Sequence, residues 1–270
     1  VKSRIHATSQ VPAKKTRFIT YCQRIAAILL LPAIIAIVAL MMKKDHQEPL
    51  IAYNEVTAPY GMVSSLTLPD SSKVWLNAGS TLKYPAAFTS NVREVEMSGE
   101  AYFEVHADKE HPFIVNTGDL KVTATGTAFN ICSFAKAQEE VITLVTGKVA
   151  VSQENNIKHL LPGQQLNYQR ASKSMEITDI DTYKYISWKD GILAFRDDPL
   201  KSIFNRLEQV YQVRFILKDT SINQFTYRAT FKGETLDEIL DYMGMSIPIT
   251  FRTTETEKEG NDSINVRTIE

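Results

Sequence analysis

Cysteine is scarce in this chain of 270 residues, which holds only Cys22 and Cys132. Cys22 precedes an uncharged apolar run, and Cys132 lies far beyond it. Two cysteines separated by a membrane-length segment exclude a disulfide framework. Cys22 is also on the wrong side of the run for a lipoprotein acceptor. We expect Cys132 to be a buried strand residue, since free cysteine behaves as a small hydrophobe.

Catalytic motifs are lacking as well. The sequence has no Gly-x-Ser-x-Gly, no phosphate-binding loop, no His-Glu-x-x-His and no Cys-x-x-Cys. On a regular strand Glu100 and Glu104 stand about 13 Å apart, whereas paired glycosidase carboxylates need about 5 to 9.5 Å. The run His106–His111 carries two histidines and two acids, but it joins two predicted strands and reads as a solvated loop. We therefore predict no enzyme activity, no metal and no cofactor.

Acidic residues are absent from positions 1–42, and residues 25–42 carry no charge of either sign. About 20 apolar residues form a helix that crosses a hydrocarbon core of about 30 Å, so we predict one transmembrane helix at 25–42. The short tail 1–24 holds six lysines and arginines, an excess typical of the cytoplasmic side. The alternative of a cleaved signal peptide fits less well, because no small-x-small cleavage site follows the run.

All 31 acids lie after Met42, together with 24 lysines and arginines, which gives this larger part a formal net charge of −7. An acidic body is a poor binder of phosphate backbones. We therefore predict no nucleic-acid partner.

Residues 56–168, which follow a juxtamembrane linker at 43–55, show a β pattern throughout. Short alternating runs such as Lys73–Leu76 and Ala101–Val105 are separated by turn residues every 8 to 12 positions. Such a pattern predicts a mainly β fold, a solenoid, sandwich or barrel around one core. Trp75 and Phe103 are expected in that core.

A polar stretch at 169–185 reads as a linker, and residues 186–270 as a small domain in the order β-α-β-β-α-β. Asp198 and Pro199 have the types of an N-cap and a first helical residue. Thr235 and Glu238 stand at capping-box spacing before a second helix, which Gly244 is expected to end.

The order of several segments resembles the FecR family of membrane-bound sigma-factor regulators. In the β region these are Leu68-Pro69-Asp70, 74–85, 93–105, 111–115, 126–130 and Leu161-Pro162-Gly163. In the C-terminal domain they are Trp188 to Gly191, Phe195, Asp198-Pro199-Leu200 and Leu207 to Tyr211. The resemblance covers nearly everything after residue 55.

The resemblance implies an inner-membrane signal transducer with a cytoplasmic N-terminus and a periplasmic C-terminal region. It implies two partners: an extracytoplasmic-function sigma factor, and the periplasmic signalling domain of a TonB-dependent outer-membrane transporter. It also implies a three-sided, solenoid-like β domain, and a C-terminal domain similar to the short N-terminal domain of secretins and TonB-dependent receptors. The inducing ligand and the sense of the regulation stay open.

Two features depart from the family pattern. Ser71 stands where the family has glycine after Leu-Pro-Asp, so the turn is expected to manage without a free positive φ. The family also carries a helical sigma-binding domain before the membrane, whereas 24 residues precede the apolar run here and the first is Val1. We expect that the sequence is truncated or that this form cannot bind sigma by the family's usual means.

Candidate partner-binding residues lie in the C-terminal domain. An exposed sheet edge accepts a partner strand through main-chain hydrogen bonds, and we assign this edge to the strand 247–252, with Ile247, Ile249 and Phe251. Arg206 is expected on an exposed helix face as an alternative contact. The competing interpretation of the whole chain is an anchored glycan- or cell-wall-binding module. Its aromatic platform would come from Trp75, Tyr84, Tyr102 and Phe103.

The charge asymmetry around residues 25–42 predicts the topology of the chain. Alkaline phosphatase fused after Glu270 should be active, because this enzyme folds only after export. The matched fusion after Arg24 should be inactive. Activity of the second fusion alone would contradict the predicted orientation.

Overall fold

The computed structural model describes residues 52–218, 224–259 and 262–269, and helical residues at 21, 24–25, 28, 30 and 32–38; over 253–259 and 262–265 it describes the backbone only. The chain forms two compact units, residues 1–50 and 51–270. No helix in the described part is long and apolar enough to cross a membrane. The predicted anchor at 25–42 falls partly outside the described residues and stays a prediction.

The first part of the larger unit, here called the β region (53–179), is a 13-stranded sheet in the described residues. Its strands are β1 Tyr53–Thr57, β2 Ser64–Thr67, β3 Lys73–Leu76, β4 Thr81–Pro85, β5 Arg93–Glu104, β6 Phe113–Asn116, β7 Lys121–Ala124, β8 Ala128–Ser133, β9 Glu139–Thr146, β10 Val149–Gln153, β11 Asn156–Leu160, β12 Gln164–Gln169 and β13 Ser174–Asp179. The prediction of a mainly β fold is confirmed.

Strand β5 organises this sheet, because its two halves pair with different neighbours. Residues 93–98 pair with β4 and β6, and residues 99–104 pair with β8 and, from 101, with β3. Gly99 marks the change with a φ of +102°. A Cβ at Gly99 would lie 2.7 Å from the Ser80 Cα, so only glycine fits this crossing.

Both halves of the sheet contribute side chains to one hydrophobic cluster. Val95 and Met97 come from the first half of β5, and Phe103 from the second. The Phe103 ring is fully buried and stacks on Phe129, with centroids 5.1 Å apart. Trp75 differs from the prediction. It is half-buried and lies on the opposite face of β3, where its partner across the ladder is Tyr102.

The remaining elements form the α/β unit (183–269). They are α1 Tyr183–Ile186, a 3₁₀ helix Ser187–Asp190, β14 Ile192–Pro199, α2 Leu200–Tyr211, β15 Val213–Leu217, β16 Thr226–Lys232, α3 Leu236–Ser246, β17 Phe251–Glu259 and β18 Asp262–Ile269. Strands β14 and β16 form one antiparallel pair, and β18 lies between β15 and β17 in a second sheet. The apolar faces of α2 and α3 bury a second, separate hydrophobic cluster.

Of the two predicted helix starts, the one at Thr235 is confirmed and the one at Asp198 is wrong. The capping box of Thr235 and Glu238 is present at α3, as its spacing predicts. Asp198 does not cap α2, because β14 is irregular between Phe195 and Asp198 and continues to Pro199. Its carboxylate instead accepts hydrogen bonds from the Arg196 N–H and Lys184.

Three predicted boundaries are wrong. Residues 169–185, assigned to a linker, include β13, whose polar pattern reflects one exposed face of an outer strand. Helix α3 continues past Gly244 to Ser246, and the strand predicted at 247–252 begins only at Phe251. A last strand, β18, then follows β17.

The turn after Leu68-Pro69-Asp70 also differs from expectation. Ser71 adopts a φ of +71°, the left-handed conformation that glycine provides freely. The Ser71 N–H donates to the Leu68 carbonyl at 2.9 Å. The turn geometry is thus kept by a serine that bears the steric strain of that region.

Replacing Phe103 with alanine should lower the free energy of unfolding by about 3 to 5 kcal/mol, because it empties a fully buried ring site. Ile157, in β11, is 57% exposed, so the control Ile157→Ala should change stability by about 0.5 kcal/mol or less. Urea unfolding measures both values. A Phe103→Ala protein as stable as its parent would contradict the assigned core.

Candidate functional site

A buried acid lies on the outward face of β5. In the second half of this strand Ala101 and Phe103 face the core, so Glu100, Tyr102 and Glu104 face outward. Glu104 is exposed, but Glu100 and Tyr102 are only 3% and 4% exposed. They are covered by the α/β unit, which makes this contact the candidate functional site.

The Glu100 carboxylate is held by groups from both parts of the larger unit. Asn77 Nδ2 donates to Oε2 at 2.7 Å, and Asn130 Nδ2 donates to Oε1 at 3.0 Å. Arg206, from α2, donates to Oε2 through Nη1 and forms an ion pair with it. The Glu100 backbone N–H donates to Ser80 Oγ at 2.8 Å. These contacts replace the water that a buried carboxylate loses.

Helix α2 contacts the β region at two positions one turn apart. Arg206 reaches Glu100, and the Val210 carbonyl accepts a hydrogen bond from the Gly61 N–H at 2.8 Å. Residues four apart lie on the same helix face. This face therefore docks on the β region, while the apolar stripe of α2 packs into the core of its own unit.

The 3₁₀ helix supplies the second part of the contact. Trp188 is buried, and its Nε1 donates to Asn130 Oδ1 at 3.2 Å. Lys189 Nζ lies 5.8 Å from the Trp75 ring centroid and 5.4 Å from that of Tyr102, within cation–π range. Asn130 thus bridges Glu100 and Trp188, and links the two attachment points.

The electrostatics follow from this burial. Desolvation acts to lower the pKa of Arg206, but the Glu100 carboxylate outweighs it and holds that pKa above its ordinary value. Burial, with help from the charge of Glu104, raises the pKa of Tyr102 to about 12. The pKa of the Cys132 thiol is also raised, mainly by burial. Arg206 stays charged and Cys132 stays a thiol at neutral pH.

A cleft of about 210 Å³ remains beside the ion pair. From the β region it is lined by Glu100, Asn130 and Cys132, and from the α/β unit by Trp188, Phe195 and Arg206, among others. Packing at this contact is therefore incomplete.

The predicted partner-binding residues have different surroundings from those expected. The expectation that Arg206 lies on an exposed face is wrong, since it pairs with buried Glu100. Ile247 and Ile249 precede β17 and are core residues, only 7% and 4% exposed. Phe251 begins β17 and is partly buried, with its ring 6.2 Å from that of Phe204. In the described residues β17 pairs only with β18, so it is an outer strand.

The structure also describes the His106–His111 loop and the four residues of the predicted aromatic platform. Asp108 and His111 lie in the loop after β5, joined at 2.8 Å, and the described residues contain no group of three potential ligands that could hold a metal ion. Among the aromatic platform candidates, Tyr102 and Phe103 are buried and Tyr84 is partly buried. Trp75 is half-buried beneath Lys189.

Both parts of the larger unit match models of a known protein family. The family model described as "FecR protein" matches residues 54–156, and the model "FecR, C-terminal" matches residues 192–259. The chain belongs to the FecR family. The two matches fall on the two parts that meet at Glu100 and Arg206. No curated protein matches the chain.

Solved structures give a consistent result for this FecR-family chain. A crystal structure at 1.65 Å of a candidate anti-sigma factor from Parabacteroides distasonis is 28% identical, with a TM-score of 0.70 over 80% of this chain and 98% of that one. A second, at 2.50 Å and described in the same words, is 30% identical, with a TM-score of 0.69 over 80% and 99%.

The geometry predicts that Arg206→Ala is strongly destabilising, because it leaves Glu100 buried without its cation. The expected loss in urea unfolding reaches about 3 to 5 kcal/mol if Glu100 stays buried, and is smaller if the contact opens and returns Glu100 to water. Arg228 is the matched control, since its ion pair with Asp197 is exposed on both sides; Arg228→Ala should cost about 1 kcal/mol or less. Equal losses in the two variants would show that the Glu100 pair is not desolvated as described.

Proposed function

We propose that this protein regulates an extracytoplasmic-function sigma factor, as a signal transducer and not as an enzyme. The single observation that supports this most is the pair of FecR family matches, at 54–156 and 192–259. The candidate anti-sigma factors of similar structure point the same way. In this proposal the protein is held in the inner membrane by residues 25–42, with its larger unit in the periplasm.

We assign the receiving role to the α/β unit. Its resemblance to the short N-terminal domain of secretins and TonB-dependent receptors suggests a partner of related build, the periplasmic signalling domain of a TonB-dependent transporter. The outer position of β17 among the described residues supports this assignment, because an outer strand can pair with a partner strand through main-chain hydrogen bonds. The β region would carry the signal from the α/β unit towards the membrane.

The surroundings of the cleft support a role without catalysis. A general base or nucleophile needs a free, suitably titrating group within reach of a substrate. Glu100 and Arg206 instead bind each other and buried amides. Cys132 has a raised thiol pKa, the opposite of an activated nucleophile.

The proposal predicts how sigma-dependent transcription responds to the inducing signal in three strains. Without the gene, transcripts that depend on the partner sigma factor should no longer respond to the inducing signal. With residues 186–270 deleted, the response should be lost as well, provided that immunoblotting shows normal accumulation in the membrane. The complete chain should restore it.

Two outcomes would contradict separate parts of this proposal. An unchanged response without the gene would exclude sigma regulation by this protein. A full response from the accumulated 186–270 deletion would leave the regulation intact but move the receiving role to the β region.

A further inference from the structure

The β region and the α/β unit have independent hydrophobic cores. One cluster is built from β-region side chains and the other from the α/β unit, and they do not merge. The contact between them includes three hydrogen bonds, Arg206 on Glu100, Trp188 on Asn130, and the Gly61 N–H on the Val210 carbonyl, together with the buried rings of Trp188 and Tyr102. Each part therefore retains its own hydrophobic cluster when the contact is broken, and only the burial of Trp188 and Tyr102 at the contact is lost.

The cleft beside Glu100 shows that this contact is not packed like either core. A space of about 210 Å³ separates Cys132 and Val141 of the β region from Phe195 and Trp188 of the α/β unit. Protein interiors have few voids larger than a water molecule. Beside the cleft the contact lacks the dispersion energy of a continuous core, which increases the share of the attachment that the ion pair carries.

We propose that Glu100 and Arg206 form a latch that holds the α/β unit on the β region, and that opening it separates the two parts while both remain folded. Separation returns both charges to water, which offsets much of the lost attraction. A desolvated pair is thus suited to a reversible contact. Removing one partner by mutation is costly, because the other charge stays buried, whereas releasing the whole α/β unit returns both charges to water.

Cys132 reports on this opening. It lies in β8, lines the cleft and is the only cysteine of residues 43–270. Closed, it is partly buried rather than fully buried as expected, and its thiol pKa is raised by burial. Open, it gains access to solvent and forms thiolate more readily, and both changes accelerate alkylation. The full chain with Cys22→Ser provides a single thiol for this measurement.

The test compares maleimide labelling rates of Cys132 in three full-length Cys22→Ser proteins under native conditions. Arg206→Met keeps much of the side-chain volume and removes the charge, and should label about tenfold faster or more than the parent. Arg228→Met removes the exposed pair with Asp197 and should label at the parental rate. Parental labelling of Arg206→Met would overturn the latch, and so would equal acceleration by both variants.

A second reporter separates opening from unfolding. Val122 is fully buried in the β core, so Val122→Cys in a chain lacking both native cysteines reports on the β region itself. With Arg206→Met added, this thiol should stay as protected as before. If it labels as fast as Cys132 does in the Arg206→Met protein, the substitution unfolds the β region and the latch is wrong. Neither measurement depends on the sigma factor or the transporter, so the latch can fail while the proposed function stands.

Discussion

A carboxylate that loses its water needs a cation and hydrogen-bond donors around it, and Glu100 has them from both parts of the larger unit. Asn77 and Asn130 are buried in the β region and donate hydrogen bonds to this carboxylate, and Arg206 reaches it from α2. This requirement fixes the position of α2, which carries Arg206. It also fixes the 3₁₀ helix, because Trp188 of that helix donates to Asn130, which in turn donates to Glu100. One buried charge thereby sets how the α/β unit lies on the sheet.

Glu100 owes its position to the residue before it. β5 leaves one set of partners and joins another at Gly99, whose φ of +102° and contact with Ser80 exclude other side chains. The crossing turns Ala101 and Phe103 inward and Glu100 outward. Ser80 then accepts from the Glu100 N–H at 2.8 Å. The backbone feature that folds the sheet therefore also places the acid that attaches the second unit.

Sequence patterns predicted what is local. Alternation along Lys73–Leu76 and Ala101–Val105 located strands, and the capping box at Thr235 located a helix. Pairings between distant elements could not be predicted, and Arg206 lies 106 residues from Glu100. The sequence contained one sign that Arg206 is partly buried, because this residue flanks the apolar stripe of α2 beside Ile203 and Leu207. Without knowledge of a buried acid opposite, however, that position reads as an ordinary exposed cation. The edge assigned to Ile247 and Ile249 failed for a similar reason, because strand and core patterns look alike in short apolar runs.

Transmission between two folded parts requires an element with two arrangements whose balance both sites influence. Neither core offers this, because close packing resists gradual deformation. The contact around Glu100 differs from both cores, since its polar groups can exchange their partners for water while each hydrophobic cluster stays buried in its own part. A binding event on the α/β unit that favours the separated arrangement would remove Arg206 and Trp188 from the outward face of the β region. The group most affected would be Glu100, which adjoins Gly99 at the crossing of the sheet, so a change at the surface has a direct covalent route to the strand that organises the fold.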